Sequence, residues 1–501
     1  MNQELFSPDL LKEIRSKFHY VENSLYGGER IFLDSVSGAL RLKKMTDRAG
    51  SEIKSYAQKS RIDPASRHFA AVKERFKKDA RLFFGANSGH IIPAMSGTHT
   101  IYRCVNAVCS AYQDAGKNIV TSNLEHPAVF ESSQQFAEKY NLERRVADFD
   151  RNTGIVPVEN VLNLVDRDTC LLALIHGSNI TGGVNDIGKI VRKARSINPE
   201  IYVVVDGVQY APHRLIDVEE LDVDAYIISG YKIYCKKGSG IGYINERFDE
   251  LPHWQLRERP AGEWAIGAED ESTYAGFSAV ISYLKWLGGE LIDAAGGRRS
   301  IEEKSKLDKR DSSDERRKIE IAMGKISAHT RGLMNLALTG IRGLRKMENV
   351  EVLGLEMSPK KSPGSSKNIS RNRSRNRSRN VSSNSSSNSS SNSSSNSSNS
   401  SRDCQPEDLQ LEDLHLEGLN LEDRTGLIAF RIKGEDSNEL AERYFKEAGI
   451  SLSTRERNIY GRHVLEVLEV DDLIRLSICH YNTPGEIKSF LQATEGFQSD
   501  S

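Results

Sequence analysis

Between Asn118 and Ile244 the sequence repeats one plan: a short apolar run, a polar turn, then a segment with helical spacing. NIVTS, TCLLALI, YVVVD and AYIIS are the apolar runs, and each stops abruptly at polar residues. Runs that are apolar on consecutive positions fit strands buried on both faces, and their alternation with helices predicts an α/β fold with a mainly parallel sheet. In open sheets of this kind ligands bind outside the carboxyl ends of the strands. The residues that close each run are therefore the first candidates for chemistry.

Two of these ends carry a complementary pair. Tyr202 to Val205 leads into Asp206, and Ala225 to Ile228 leads through Ser229, Gly230 and Tyr231 to Lys232. An Asp after a strand is commonly a helix cap, and a Lys there is commonly solvated surface. Together at one rim they match pyridoxal phosphate, an aldehyde cofactor. The lysine amine condenses with the aldehyde as a Schiff base, and an aspartate keeps the pyridine nitrogen protonated so that the ring accepts electron density.

Other turns can complete such a site. In HIIPAMSGTHTIYRC the small residues Ser96, Gly97 and Thr98 open directly into a helix, whose free N–H groups and dipole attract an anion such as a phosphate. The alternative is an ordinary helix cap. The turn LEHP carries Glu125 and His126, and an imidazole there either stacks on a flat ring and moves protons or is a satisfied rim histidine. HGSNITGG carries Asn179, whose amide can donate to a ring oxygen or a carboxylate. Gln209 lies one helical turn beyond Asp206, and Ser229 and Tyr231 offer hydroxyls to a phosphate.

At 501 residues the chain exceeds the usual limit of a single core. Residues 1–60 open with an amphipathic helix and ERIFLDSVSGAL, a segment expected to pack over the site. Residues 61–295 form the expected large domain, and 296–357 with 425–501 a smaller C-terminal α/β domain. Dense mixed charge over 296–346 predicts a long, exposed helix laced with ion pairs. Residues 358–424 interrupt the small domain with alternating arginines, Ser/Asn repeats and the pentads LQLED, LHLEG and LNLED. Nothing in the Ser/Asn/Arg tract can form a core, so a low-complexity insert is expected there. In the final strand Arg475 stands between Ile474 and Leu476, and its fork suits either a free amino-acid carboxylate or an internal salt bridge.

The net charge of -1 gives no general attraction to nucleic acid, leaving the arginine tract as the one segment suited to a polyanion. The six cysteines form no CxxC pair and no metal-ligand cluster with histidines. MNQELFSPDLLKEIRSKF lacks a basic segment followed by an apolar core, and no apolar run reaches membrane-spanning length. The expectation is a cytoplasmic protein with reduced thiols.

The motifs SGTHT, LEHPAVF, HGSNITGG, VVDGVQYAPHRLIDV, SGYKIYCKKGSGIGY and IRLSICHYNTPGEI occur in one order across most of the chain outside the insert. In this the sequence resembles the class V aminotransferase family of fold-type I pyridoxal phosphate enzymes, and DGVQYAPH and HYNT look most like its cysteine-desulfurase-like branch. The resemblance implies Lys232 as the Schiff-base lysine, Asp206 as the partner of the pyridine nitrogen, Gln209 near the ring oxygen and His126 stacked on the ring. It implies Gly97, Thr98, Ser229 and Tyr231 around the phosphate, Asn179 and Arg475 on the substrate carboxylate, and a homodimer. Two departures stand out. IGAED puts Ala268 where the family often has a hydroxyl that reaches the neighbouring subunit's phosphate. Between Thr454 and Ile474, where desulfurases carry a nucleophilic cysteine, this chain has none; Cys404 and Cys479 lie elsewhere.

The expected activity is therefore a pyridoxal-phosphate-dependent reaction on a small amino acid through an internal aldimine, by transamination or side-chain elimination. The alternatives are a cysteine desulfurase or selenocysteine lyase and, from a different class, a non-catalytic scaffold whose insert binds RNA or protein.

Overall fold

The computed structural model describes residues 5–54, 62–296 except 257, 259, 261 and 268, 312–355 and 421–499. Ala268, Cys404 and the arginine and Ser/Asn tracts of the insert lie outside the described residues.

A seven-stranded sheet forms the centre, in the order His90–Ala94, Gly240–Ile244, Ala225–Ser229, Tyr202–Asp206, Thr169–Ile175, Asn118–Ser122, Glu143–Ala147. All strands run parallel except Gly240–Ile244, which is antiparallel to both neighbours. The expected strand–helix alternation up to Ile244 is thus broken once. Residues 230–239 are too few for a crossover helix, which needs about a dozen residues or more, so the chain turns straight back beside the strand it has just left.

Strand alternation sorts the apolar residues onto two faces. Val120, Leu172, Leu174, Val203, Val205, Tyr226 and Ile228 belong to one core, and Ile119, Leu171, Ala173, Val204, Ala225 and Ile227 to the other. Helices cover both faces, and this double cover is why those strands are apolar at every position. The helix Gly97–Ala111 packs close to Gly240, where a Cβ would lie 2.3 Å from the Ser96 backbone. Only glycine fits there, and the helix start is thereby held at the sheet rim.

The second sheet is antiparallel, in the order Val350–Leu353, Leu427–Ile432, Asp472–Ser477, Ser453–Glu456. The helices Ser437–Ala448 and Pro484–Ser499 contribute to its core. The larger core also takes in Ala429, Leu473, Cys479 and Tyr481, so apolar packing is continuous between the two sheets. The N-terminal segment crosses the same junction. Ile31–Phe32 pairs with Ile450–Ser451, Asp34 bridges to Ser477, and the Val36 amide donates to Ser477 Oγ at 2.9 Å.

Two further expectations are corrected. The helix Ser312–Thr339 is not an exposed, charged rod. Ile319, Ala322, Met323 and Ile326 recur at helical spacing and are fully buried in the main core, while Arg317 and Glu320 are exposed on the outer face. The charged run that precedes it lies outside the described residues. At the other junction, Leu421 to Arg424 belong to the folded body rather than to the insert. Leu421 is buried in the second core, Arg424 bridges to Gly183, and the Asp423 carbonyl accepts from the Val184 amide at 3.0 Å. Leucine spacing alone does not separate this last pentad from the two before it.

Candidate active site

The carboxyl ends of the parallel strands open into a cavity of about 250 Å³ between the two sheets. Asp206 closes the strand Tyr202–Asp206 and points into it, fully buried. Its Oδ1 accepts from the Val208 amide at 3.0 Å, and burial pushes the carboxyl up to about 6. Lys232 ends the single turn Gly230–Lys232 that follows Ala225–Ser229. Its Nζ donates to the Val36 carbonyl. Burial brings the amine down to about 7, with Arg475 and Arg455 acting in the same direction and Asp34 and Asp206 opposing. A buried base and a buried acid thus meet in one space with both groups drawn towards neutrality.

The remaining strand ends deliver their residues to the same cavity. His126 caps the helix Pro127–Lys139, its Nδ1 accepting from the Ala128 amide at 3.1 Å. Burial, then Lys232 and Arg455, bring it down to about 4, so the ring is neutral and carries its proton on Nε2. Gln209 Nε2 donates to the Val36 carbonyl at 3.0 Å, so one carbonyl of the N-terminal segment receives both Gln209 and Lys232. Thr98, Ser229 and Tyr231 line the cavity at the start of the helix Gly97–Ala111. Gly97 lies behind them, its amide donating to Ser229 Oγ at 3.2 Å. Asn179 lines the opposite part.

Arg475 stands behind the lining and is 1% exposed. It donates to the Asn179 carbonyl at 3.0 Å, to Ser453 Oγ at 3.0 Å and to Ser37 Oγ at 3.4 Å. Its Nε has no partner, and among the described residues it forms no ion pair; Asp34 is the acid that acts on it. Burial and Arg455 bring it down to about 9, against the pull of Asp34.

Three polar lining residues are not among the sequence candidates: Ser37, Arg455 and Tyr460. Ser37 sits on the N-terminal crossing, and Arg455 and Tyr460 come from the edge strand Ser453–Glu456 and the loop after it. A faint signal exists for Arg455, since strand period places it on the same face as Ser453, and Ser453 pairs with Arg475. Glu125 reads in the sequence only as a turn residue. It is fully buried, accepts from Ser122 Oγ at 2.6 Å and is pushed up to about 8, chiefly by burial.

The described cysteines, Cys104, Cys109, Cys170, Cys235 and Cys479, are all buried, and none lines this cavity. Burial pushes their thiols up, to about 11 for Cys235 and Cys479.

A family model described as Aminotransferase class-V matches residues 31–258. A cysteine desulfurase of Salmonella choleraesuis (strain SC-B67) is 30% identical over 304 residues, covering 56% of this chain and 73% of its own length. The chain belongs to the class V aminotransferase family. A cysteine desulfurase of Escherichia coli O9:H4 (strain HS) is 30% identical over 247 residues, and that match spans 48% of this chain and 60% of the relative. The apo cysteine desulfurase from Thermococcus onnurineus NA1 has the same fold, with a TM-score of 0.70 at 16% identity over 98% of both chains. The cysteine desulfurase CsdA from Escherichia coli does too, with a TM-score of 0.67 at 17% identity over 98% of both chains. The segment matched by the family model holds Gly97 through Lys232, whereas Arg455, Tyr460 and Arg475 fall outside it.

Proposed function

We propose that the chain is a pyridoxal-phosphate-dependent enzyme that acts at the α-carbon of a small amino acid, by transamination or side-chain elimination. The observation that carries this reading is the meeting of Lys232 and Asp206 in one buried cavity, with the amine brought down to about 7. The donor set fits the cofactor. Thr98, Ser229, Tyr231 and the N-terminus of the helix Gly97–Ala111 suit its phosphate, Asp206 its pyridine nitrogen, His126 its ring face and Gln209 its ring oxygen. When bound, the cofactor supplies an electron sink for negative charge at the substrate α-carbon.

The chain's own residues supply the rest. Lys232 Nζ, unprotonated over part of the neutral range, takes the α-proton and returns one after bond cleavage. Asp206, beside a cationic ring nitrogen, gains a counter-charge that offsets its burial. Arg475 and Asn179 orient the substrate carboxylate so that the α-proton faces Lys232. The buried floor of the cavity excludes water from the amine. On the same reading the protein works as a homodimer, as the family resemblance implies, and in the cytoplasm, as its reduced thiols suggest; no described helix is long and apolar enough to cross a membrane.

A second reading, cysteine desulfurase or selenocysteine lyase, is supported by the names of the relatives. Persulfide formation requires a thiolate that reaches the substrate sulfur, and the described cysteines are buried away from the cavity. The first reading is therefore preferred. The test is to load the purified protein with pyridoxal phosphate and screen amino acids for changes in the visible spectrum of the bound cofactor, identifying the products. Visible absorbance that disappears in Lys232→Ala supports the proposal, and a wild type that takes up no cofactor refutes it. Alanine formed from cysteine together with a protein-bound persulfide would favour the second reading.

A further inference from the structure

Tyr460 lines the cavity from the loop between the edge strand Ser453–Glu456 and the helix Arg462–Leu468. Asn458 holds this loop. Its Oδ1 accepts from the Tyr460 amide at 2.9 Å, and its carbonyl accepts from the amides of Gly461 at 3.1 Å and Arg462 at 2.9 Å. The Tyr460 ring lies 6.5 Å from that of His126, centroid to centroid. Its hydroxyl has no hydrogen-bond partner among the described residues, and the residue is 49% exposed. It is the one lining phenol in the cavity that neither the phosphate nor the cofactor ring claims in the proposed function.

The four bonds of a bound α-carbon sort themselves by the groups already placed. The amine joins the cofactor, the carboxylate meets Arg475 and Asn179, and the proton faces Lys232. The side chain is left with the open side of the cavity, where the exposed lining residues are Ser37, Thr98 and Tyr460. Thr98 is assigned to the phosphate and Ser37 Oγ accepts from Arg475 at 3.4 Å, so Tyr460 is the uncommitted donor there. Arg455 lines the cavity beside it, with Asp34 as its counter-charge, and Tyr460 acts on that guanidinium as a favourable electrostatic partner. By the same attraction the guanidinium stabilises the phenolate left when Tyr460 gives up its proton. None of the described cysteines lines the cavity, so among these residues no thiol attacks the side chain, and it has to leave by taking up a proton.

We propose that Tyr460 is a catalytic acid that hands its phenolic proton to the departing side-chain group X, so that the reaction is α,β-elimination from an amino acid bearing a hydroxyl, thiol or thioether on Cβ. This rests on the proposed function and decides between its two branches. Lys232 Nζ takes the α-proton, the electron pair of that C–H bond becomes the second Cα–Cβ bond, and the Cβ–X bond breaks with its pair going to X. X takes the Tyr460 proton and departs as HX. Arg455 offsets the phenolate until solvent returns a proton to it, and Lys232 gives its proton back to solvent. The other product, 2-aminoacrylate, tautomerises and takes up water to give ammonia and pyruvate, and no oxidant or reductant is needed.

The test compares two leaving groups in Tyr460→Phe. With the cofactor loaded, S-methylcysteine and 3-chloroalanine are supplied and pyruvate is measured; methanethiolate leaves well only with a proton, whereas chloride leaves without one. The variant should lose roughly 100- to 10,000-fold with S-methylcysteine, the range of general acid catalysis, while 3-chloroalanine stays near the wild-type rate. A second arm uses the cofactor-free protein and calorimetry with N-phosphopyridoxyl-serine and N-phosphopyridoxyl-alanine, in which a stable amine joins cofactor and amino acid. The serine conjugate should bind roughly 2- to 10-fold more tightly, as one hydrogen bond from Tyr460 allows, and Tyr460→Phe should equalise the two. Equal losses with both amino acids overturn the proposal, because a displaced loop slows both. An undiminished rate with S-methylcysteine overturns it too, since Lys232 would then pass the proton on, and so do conjugates that the wild type binds equally. A wild type that loads cofactor and exchanges amino groups but eliminates neither side chain refutes this inference and leaves the proposed function standing. A wild type that neither loads cofactor nor binds a conjugate refutes both.

Discussion

Replacing Asp206 by asparagine should make the cofactor-free protein more stable while removing the partner of the ring nitrogen. Burial lifts this carboxyl from its ordinary value of 3.8 to about 6. At about 1.4 kcal/mol per pH unit, that difference withholds about 3 kcal/mol of stability once the group is ionised in both states. Below pH 3.8 the carboxyl is protonated in both the folded and the unfolded chain, and there is no penalty. Between 3.8 and about 6 only the unfolded chain releases the proton, so stability falls as pH rises, and above about 6 the full penalty applies. Asparagine never ionises and escapes it. The variant keeps an oxygen acceptor for the Val208 amide, and what the charged form gains from that amide and from Lys232 is already contained in the value of about 6. The gain is about 3 kcal/mol near pH 8 and about half of that near pH 5, where the wild type carries roughly half its penalty. Urea denaturation of both cofactor-free proteins at the two pH values measures this. A variant less stable than wild type near pH 8, or a difference that does not change with pH, would refute the reasoning. In the loaded protein the same substitution should lower amino-acid turnover severely, so the stability gain and the functional loss come from one atom.

Two other outcomes follow from the site geometry. Because the Lys232 amine is brought down to about 7, the rate of pyridoxal phosphate uptake should rise through that pH and level off above it. Stopped-flow absorbance measures this rate, and one that keeps climbing towards the ordinary lysine range would contradict it. In Gly97→Ala the new Cβ would lie 2.5 Å from Ser229 Oγ and 3.2 Å from Val208 Cγ2, costing about 1–3 kcal/mol of stability and displacing a hydroxyl assigned to the phosphate. Urea denaturation and cofactor titration should both register the change, and a variant normal in both would remove Ser229 from that role.

Most of the site is legible in the sequence, for a local reason. Thr98, His126, Asn179, Asp206, Gln209, Ser229, Tyr231 and Lys232 all sit where an apolar run or a helix start meets a polar turn. A parallel sheet brings all such strand ends to one rim, so eight residues scattered over the chain line one cavity. Arg455 and Tyr460 carry no such punctuation, and Ser37 stands in a Ser/Gly turn far from the repeated strands. They reach the cavity because the N-terminal segment pairs with Ser451 and Ser477 and because the edge strand Ser453–Glu456 registers on Asp472–Ser477. Pairings between distant segments leave no trace in local periodicity. The helix Ser312–Thr339 shows the same limit: its charges are visible in the sequence, but the core that accepts Ile319 and Met323 is not.

Residue periodicity is enough to specify a mainly parallel sheet and which residues stand at its strand ends, because both depend on neighbours along the chain. The return of Gly240–Ile244 as an antiparallel strand, the shared Val36 carbonyl and the arrival of Arg455 depend on the assembled fold. So does the state of the chemistry. The amine of Lys232, the carboxyl of Asp206 and the imidazole of His126 have ordinary values in an extended chain, and collective burial between two sheets is the main cause that moves them. Desolvation belongs to the packed body as a whole, and no single stretch of residues encodes it.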